Sequence, residues 1–407
     1  MYRLINLSVH NTFTPSSWKD LHLQSLFSVV GCICLFGLTF SIYSPLLSLL
    51  LEQRGASNFL IGSLATTPAI GVMISSFFVP YFLKMAGGRK LLLVGVFVEI
   101  LLIIWLMLTD ELLAWFAIRF LGGFSGGIVF VVSETWLNEI TPESLRGRVI
   151  GLYNTMLGLS FAIGPLVLSM TGIEGHLPFL IGIGLMSIAI APLLLVNNYS
   201  PDGLESPTFN ILSFVRVAPL LVVAVFVVAL KEMASVGLLP VYGVRSGLTE
   251  ATAALMLFFA AIGGAVLQFP IGWLGDYFSR VGVMVVCGLV GIAGAVVMPF
   301  VIMVPWLLFL TLFVWMGCFA GVYTITLTLA GQWFRGNELA IAIASFGVFW
   351  GLGGLAGPVI AGYSMDVWGP NGFPLMMGAS ATLFIVFCMV PRLRQAPRTA
   401  AVVRSTL

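Results

Sequence analysis

The stretch LLLVGVFVEILLIIWLML, residues 91–108, decides what kind of molecule this chain is. Its only ionisable group is Glu99; Arg89 and Lys90 precede it, and Asp110 and Glu111 follow it. A hydrocarbon core ~30 Å thick takes about 20 helical residues to cross. Inside that core every backbone N–H and C=O must be satisfied within the fold, which leaves helices and closed barrels. A barrel strand alternates apolar and polar residues. This run does not alternate, so it reads as a membrane-spanning helix.

Eleven further runs of the same kind follow the pattern. Spans are expected at about 26–51, 57–84, 89–109, 112–137, 146–171, 177–196, 214–240, 249–275, 281–304, 306–333, 338–364 and 373–391. Composition agrees: 59% of residues are hydrophobic and 8% are charged, where a soluble domain would be about 25% charged. The fold class is therefore an all-α membrane protein of twelve transmembrane helices.

Composition also excludes functions. Net charge is +2 without any basic patch interleaved with aromatics, so no nucleic-acid partner is expected. Cys32, Cys34, Cys287, Cys318 and Cys388 all fall within apolar runs and form no CxxC pair, which reads as buried small side chains. His10, His22 and His176 lie outside the spans, so neither a metal centre nor a nucleophilic triad assembles in the membrane. No GxxxxGK[ST] loop is present. The chain is not expected to be an enzyme, and no cofactor or metal is expected. The start, MYRLINLSVHNTFTPSSWKDLHLQ, has no apolar h-region and reads as a retained tail.

The longest polar interval, NNYSPDGLESPTFN at 197–210, holds two prolines, a glycine and two acids, and reads as a linker. The expected organisation is a tail (1–25), a six-helix half (26–196), a linker (197–213), a second half (214–391) and a tail (392–407). With the N-terminus inside, cytoplasmic segments collect 14 of the 18 Lys and Arg, while only Arg54 and Arg245 lie outside. The positive-inside rule then puts both termini in the cytoplasm. The halves also repeat. Arg89 in PYFLKMAGGRK (80–90) and Arg280 in IGWLGDYFSR (271–280) are 191 positions apart, and Pro165 in FAIGPLV and Pro358 in GLAGPVI are 193 apart.

At these residues the chain resembles the major facilitator superfamily, in its broad bacterial branch of twelve-helix transporters, over essentially its whole length. Gly272, Leu274, Asp276 and Arg280 match the family's loop motif; in the first copy Met85 stands where the acid belongs. RFLGGFSGG (119–127) resembles the helix 4 pattern of that family, and SETWLNEITPESLRGRVIGLY (133–153) is similar to the helix 4–5 junction of a poorly characterised bacterial subgroup. The resemblance implies two pseudo-symmetric six-helix bundles that rock against each other. It implies a cavity lined by spans 1, 4, 7 and 10, with 2, 5, 8 and 11 between the halves. It also implies that Asp276 latches onto the start of span 5, at Thr141 to Arg148, to close the cytoplasmic gate with Arg280, Arg146 and Arg148.

Ionisable groups inside spans cost ~2.5–3.5 kcal/mol at the helix centre and call for a reason. Arg119, Gly123, Gly126, Phe130 and Glu134 share one face at about 100° per residue. Arg119 and Glu134 are ~22 Å apart along that helix, so each needs its own partner. Arg119 reads either as an anion-contacting or proton-coupling residue or as a structural arginine bonded to a neighbouring helix. Glu134 reads as a gate acid for Arg146 or Arg148, or as a proton carrier. Lys231 and Glu232 point about 100° apart, so one is expected in the cavity and the other against a neighbouring helix. Glu99 reads as a buried acid bonded to span 2 or 4. Tyr43, Tyr323, Thr324, Trp315 and Gln268 are uncharged candidates for the same wall.

The expected function is a secondary active transporter. It would move a small organic solute across a bacterial inner membrane by alternating access, coupled to protons, with the lipid bilayer as its surroundings and as a monomer. The alternative reading is a non-transporting membrane sensor or assembly partner built on a transporter fold.

Overall fold

The computed structural model describes residues 23–141, 145–196, 211–334 and 337–390. Each apolar run becomes a helix: α1 (Leu23–Gln53), α2 (Asn58–Ala86), α3 (Gly88–Leu108), α4 (Leu112–Ile140), α5 (Arg146–Thr171) and α6 (Leu177–Leu195) form the first half. The second contains α8 (Pro219–Arg245), α9 (Glu250–Tyr277), α10 (Arg280–Val301), α11 (Pro305–Trp333), α12 (Asn337–Trp368) and α13 (Gly372–Met389). Twelve of these are long and apolar enough to cross a membrane, and no strand occurs among the described residues.

One boundary departs from expectation. The seventh span is displaced from 214–240, because a short helix, α7 (Ile211–Val217), ends at Ala218 before α8 begins at Pro219. Proline suits the first helical position, where its missing N–H would be unpaired anyway, and it cannot continue the preceding helix. Arg245 therefore ends α8 instead of lying in a loop. The tails and residues 197–210 lie outside the described residues.

Helix contacts repeat between the halves. In the first, α2 and α3 both pack on α4, and α3 also packs on α6; in the second, α9 and α10 both pack on α11, and α10 packs on α13. Close approach is built into equivalent places: a Cβ at Gly123 would run into the backbone of Pro68, and one at Gly263 into that of Phe313. Between halves, α2 lies on α12, α5 on α9, and α8 on both α1 and α2.

An even number of crossings puts the start of α1 and the end of α13 on one face, called here the terminal face. The seam helices are packed at the opposite face and open towards the terminal one. In α12, Gly353, Gly357 and Gly362 lie against the backbones of α8 and α2, while Gly347 and Gly351, six and two residues before Gly353, have open space beside them. In α5, Gly151, Leu152, Asn154, Thr155 and Met156 are all exposed, whereas Ala162, Gly164, Pro165 and Leu168 are buried. Five of the six residues 151–156 are exposed, Tyr153 alone being buried, and at about 100° per residue they cover a wider arc than one lipid-facing side. The two halves thus enclose a chamber that opens at the terminal face.

Candidate functional site

Two carboxylates, one from each half, face this chamber. Helix α8 is almost entirely buried among α1, α2, α9, α11, α12 and α13. Glu232 is nevertheless exposed, flanked by the half-buried Met233 and Val236 and by buried Lys231 and Ala234. A helix surrounded by protein can expose a side chain only to an internal space. Glu134 is likewise exposed, beside buried Ser133 and Trp136 on α4. Tyr323 on α11 lies within electrostatic reach of both Glu232 and Glu134. Its ring sits edge-on to Trp350 of α12, with centroids 5.0 Å apart. On the first-half side, Tyr153 of α5 lies within electrostatic reach of Glu134 and of Cys34 on α1. Thr324 donates to Gln268 Oε1 at 3.3 Å, joining α11 to α9.

The structure does not bring Arg119, Lys231 or Tyr43 to this space. Each turns into its own bundle. Arg119 is 7% exposed and lies over the Phe40 ring at 5.3 Å, with an Nη donating to Ser44 Oγ at 3.4 Å. Glu99 of α3 faces it across a small cavity lined also by Tyr43, Pro68 and Gly122. That cavity holds about 30 Å³, room for about two water molecules. No ion pair within 4.0 Å joins Glu99 to Arg119, and Glu99 Oε2 and Arg119 Nε have no protein partner. The Tyr43 hydroxyl donates to the Phe179 carbonyl at 3.1 Å, fastening α1 to α6.

Lys231 is 1% exposed, and its Nζ has no hydrogen-bond partner among the described residues. It sits over the Phe319 ring and 5.5 Å from the centre of Trp315, both on α11. The two halves thus mirror one another with roles exchanged. The first sets a cation of α4 on a ring of α1, and the second sets a cation of α8 on rings of α11. Trp315, like Lys231, belongs to this interior and not to the chamber wall.

At the terminal face, Asp276 ends α9 and accepts from Arg280 at 3.4 Å. Arg148 is exposed. Pro142 to Ser144 and the side chain of Arg146, against which Asp276 was expected to close, lie outside the described residues. Thr141 donates back to the Leu137 carbonyl at 2.6 Å and so finishes α4.

The opposite face is held shut by polar contacts between the halves. Asp366 at the end of α12 accepts from the backbone N–H of Asn58 and of Phe59 and from Asn58 Nδ2, each at 2.8 Å. Arg245 pairs with Glu52 at 2.7 Å and donates to the Ala56 carbonyl at 2.9 Å. Gln53 donates to Glu250 at 2.7 Å.

Two equivalent six-helix bundles around a chamber closed at one face define a transporter-type membrane fold. The chain belongs to the Major Facilitator Superfamily, whose model matches residues 29–267 and 221–405. Among its relatives are an uncharacterised transporter of this type from Bacillus subtilis (strain 168), 26% identical over 84% of this chain and 89% of that one, and another from Escherichia coli O9:H4 (strain HS), 22% identical over 90% and 96%. Solved structures of similar fold include the nucleoside transporter NupG (TM-score 0.73, 14% identity, covering 90% of this chain and 98% of that one) and a D-xylose–proton symporter (TM-score 0.67, 15% identity, covering 90% and 96%).

Proposed function

We propose that this transporter moves a small organic solute bearing positive charge, by alternating access and at the expense of a proton gradient. What supports the reading is that Glu134 and Glu232, one from each half, are both exposed beside buried neighbours and both lie within electrostatic reach of Tyr323. An anion would want Arg119 or Lys231 in the wall, and both are turned away. Two carboxylates that share a space suit either a cation or a proton, so solute and proton can compete for them. Exchanging one proton for one monovalent cation moves no net charge, so the pH difference drives it, worth about 1.4 kcal/mol per pH unit, without ATP.

In this reading the terminal face is cytoplasmic, following the Lys and Arg bias. The protein acts as a monomer in a bacterial inner membrane, and the chamber stands open to the cytoplasm. Asp276, Arg280, Arg146 and Arg148 close that face in the alternate state. Arg119, Tyr43 and Lys231 keep each half rigid while it rocks. Counterflow in proteoliposomes tests the reading with a panel of labelled monovalent organic cations and matched carboxylates. A cation whose entry is accelerated by internal unlabelled cation supports it. Exchange of carboxylates alone, or no exchange with any solute, contradicts it.

A further inference from the structure

The closure opposite the terminal face is concentrated at one point. The first backbone donors of a helix have no partner within it and need one from elsewhere. In α2, the Ser57 hydroxyl takes the N–H of Leu60, and the Ser57 carbonyl takes that of Ile61. The N–H groups of Asn58 and Phe59 go to Asp366, which arrives from the other half of the molecule. Asn58 is fully buried, and its Nδ2 goes to the same carboxylate. A negative charge at this position is further favoured by the helix dipole. Next to it α12 has no room to give: a Cβ at Gly362 would strike the Asn58 carbonyl, and a Cβ at Gly62 the Pro358 carbonyl. By contrast, the Arg245–Glu52 and Gln53–Glu250 contacts lie at the ends of side chains that can follow a small displacement.

We infer that Asp366 is the principal latch of this face. Its carboxylate caps the N-terminus of α2, and this cap must break for the chamber to open on the side opposite the chain ends. The inference rests on the alternating-access reading. When the halves part, three charge-assisted bonds exchange their partners for water, and no other protein group takes over the Asn58 and Phe59 donors. The latch is therefore an acid of the second half on a helix start of the first. It is the counterpart, across the membrane, of the latch expected for Asp276.

The test measures the separation of the halves directly. Spin labels are placed at Glu174 and Asn371, exposed loop positions on that face in the first and second halves, in a background without the five native cysteines. Pulsed dipolar spectroscopy on the protein in lipid nanodiscs then reads the distance between them. Asp366→Asn keeps the shape and removes the charge; Asn58→Asp sets a second carboxylate against the first. Each single change is expected to add a longer-distance population, raising the open-to-closed ratio about ten-fold or more. The exchange Asn58→Asp with Asp366→Asn restores an acid–amide pair and is expected to return the short distance, which a general loss of packing would not do. Gly62→Trp serves as a wedge that forces the seam apart. If the wedge lengthens the distance while both single changes leave it as in the parent, the latch is overturned and rocking stands. If the wedge also leaves the distance unchanged, the rocking reading fails and the latch with it. Should one single variant not purify as a monodisperse species, the other and the exchanged pair decide the outcome in the same way.

Discussion

Replacing Lys231 with methionine should make the protein more stable, although it removes the most deeply buried cation of the second half. Lys231 Nζ has no hydrogen-bond acceptor among the described residues, and its neighbours are the rings of Phe319 and Trp315. Placing a lysine at the centre of a span costs about 2.5–3.5 kcal/mol. Desolvated cation–π contacts return about 2 kcal/mol. The remainder, about 1 kcal/mol, disfavours the folded protein and is relieved when an uncharged chain of similar volume takes the space. For a cooperative unit the size of one half, 1 kcal/mol corresponds to about 2–4 °C in Tm. Tryptophan-fluorescence melting of Lys231→Met and parent, in one detergent and at one scan rate, measures the shift, because such unfolding is often rate-limited. A rise with transport retained is expected. A fall of several degrees would show that the ammonium has a partner the packing does not provide. Lost transport at unchanged Tm would put Lys231 in the passage.

In the first half, Glu99→Gln should lower Tm by the equivalent of about 1–3 kcal/mol, because Arg119 then lacks its counter-charge. The paired change Glu99→Leu with Arg119→Met should recover most of that loss, and a double-mutant cycle read by melting measures the coupling. A Cβ at Gly357 would enter the Leu230 carbonyl, whereas Gly351 faces open space. Gly357→Val is therefore expected to cost about 3 kcal/mol or more and to reduce the yield of folded protein, while Gly351→Ala should match or exceed the parent by melting. Asp276→Asn should slow counterflow with little change in the amount of protein in the membrane; unchanged rates would remove it from the terminal-face gate.

The spans, the two halves and their repeat were legible because hydropathy and the 191–193 residue offsets depend on composition along one dimension. The identities of the unusual side chains were legible for the same reason, since a charge in a span stands out against its neighbours. The direction each one takes was not. Lys231 and Glu232 lie next to each other, and which of them meets the chamber depends on which flank of α8 is covered by α11, a contact made across about ninety residues of chain. Arg119 and Glu134 share a helical face by angle, yet Arg119 meets α1 and α3 while Glu134 passes beyond them into the chamber. Glu99 is the exception, expected to be buried against span 2 or 4 and found facing Arg119 of α4 because α3 packs on α4. Asp366 falls two residues past the expected span 338–364. Only the meeting of α12 with the start of α2, more than three hundred positions earlier, gives it donors to bind.

The central claim is that solute and protons pass along the carboxylates that the two halves present to one chamber. Counterflow of a labelled organic cation by parent, Glu134→Gln and Glu232→Gln proteins, each confirmed to be folded by melting, tests this most directly. The account predicts that at least one amide variant loses exchange ten-fold or more while Arg119→Met retains it, and that a proton gradient no longer accelerates uptake by that variant. Both amide variants exchanging at the parent rate, with the gradient still effective, would contradict it.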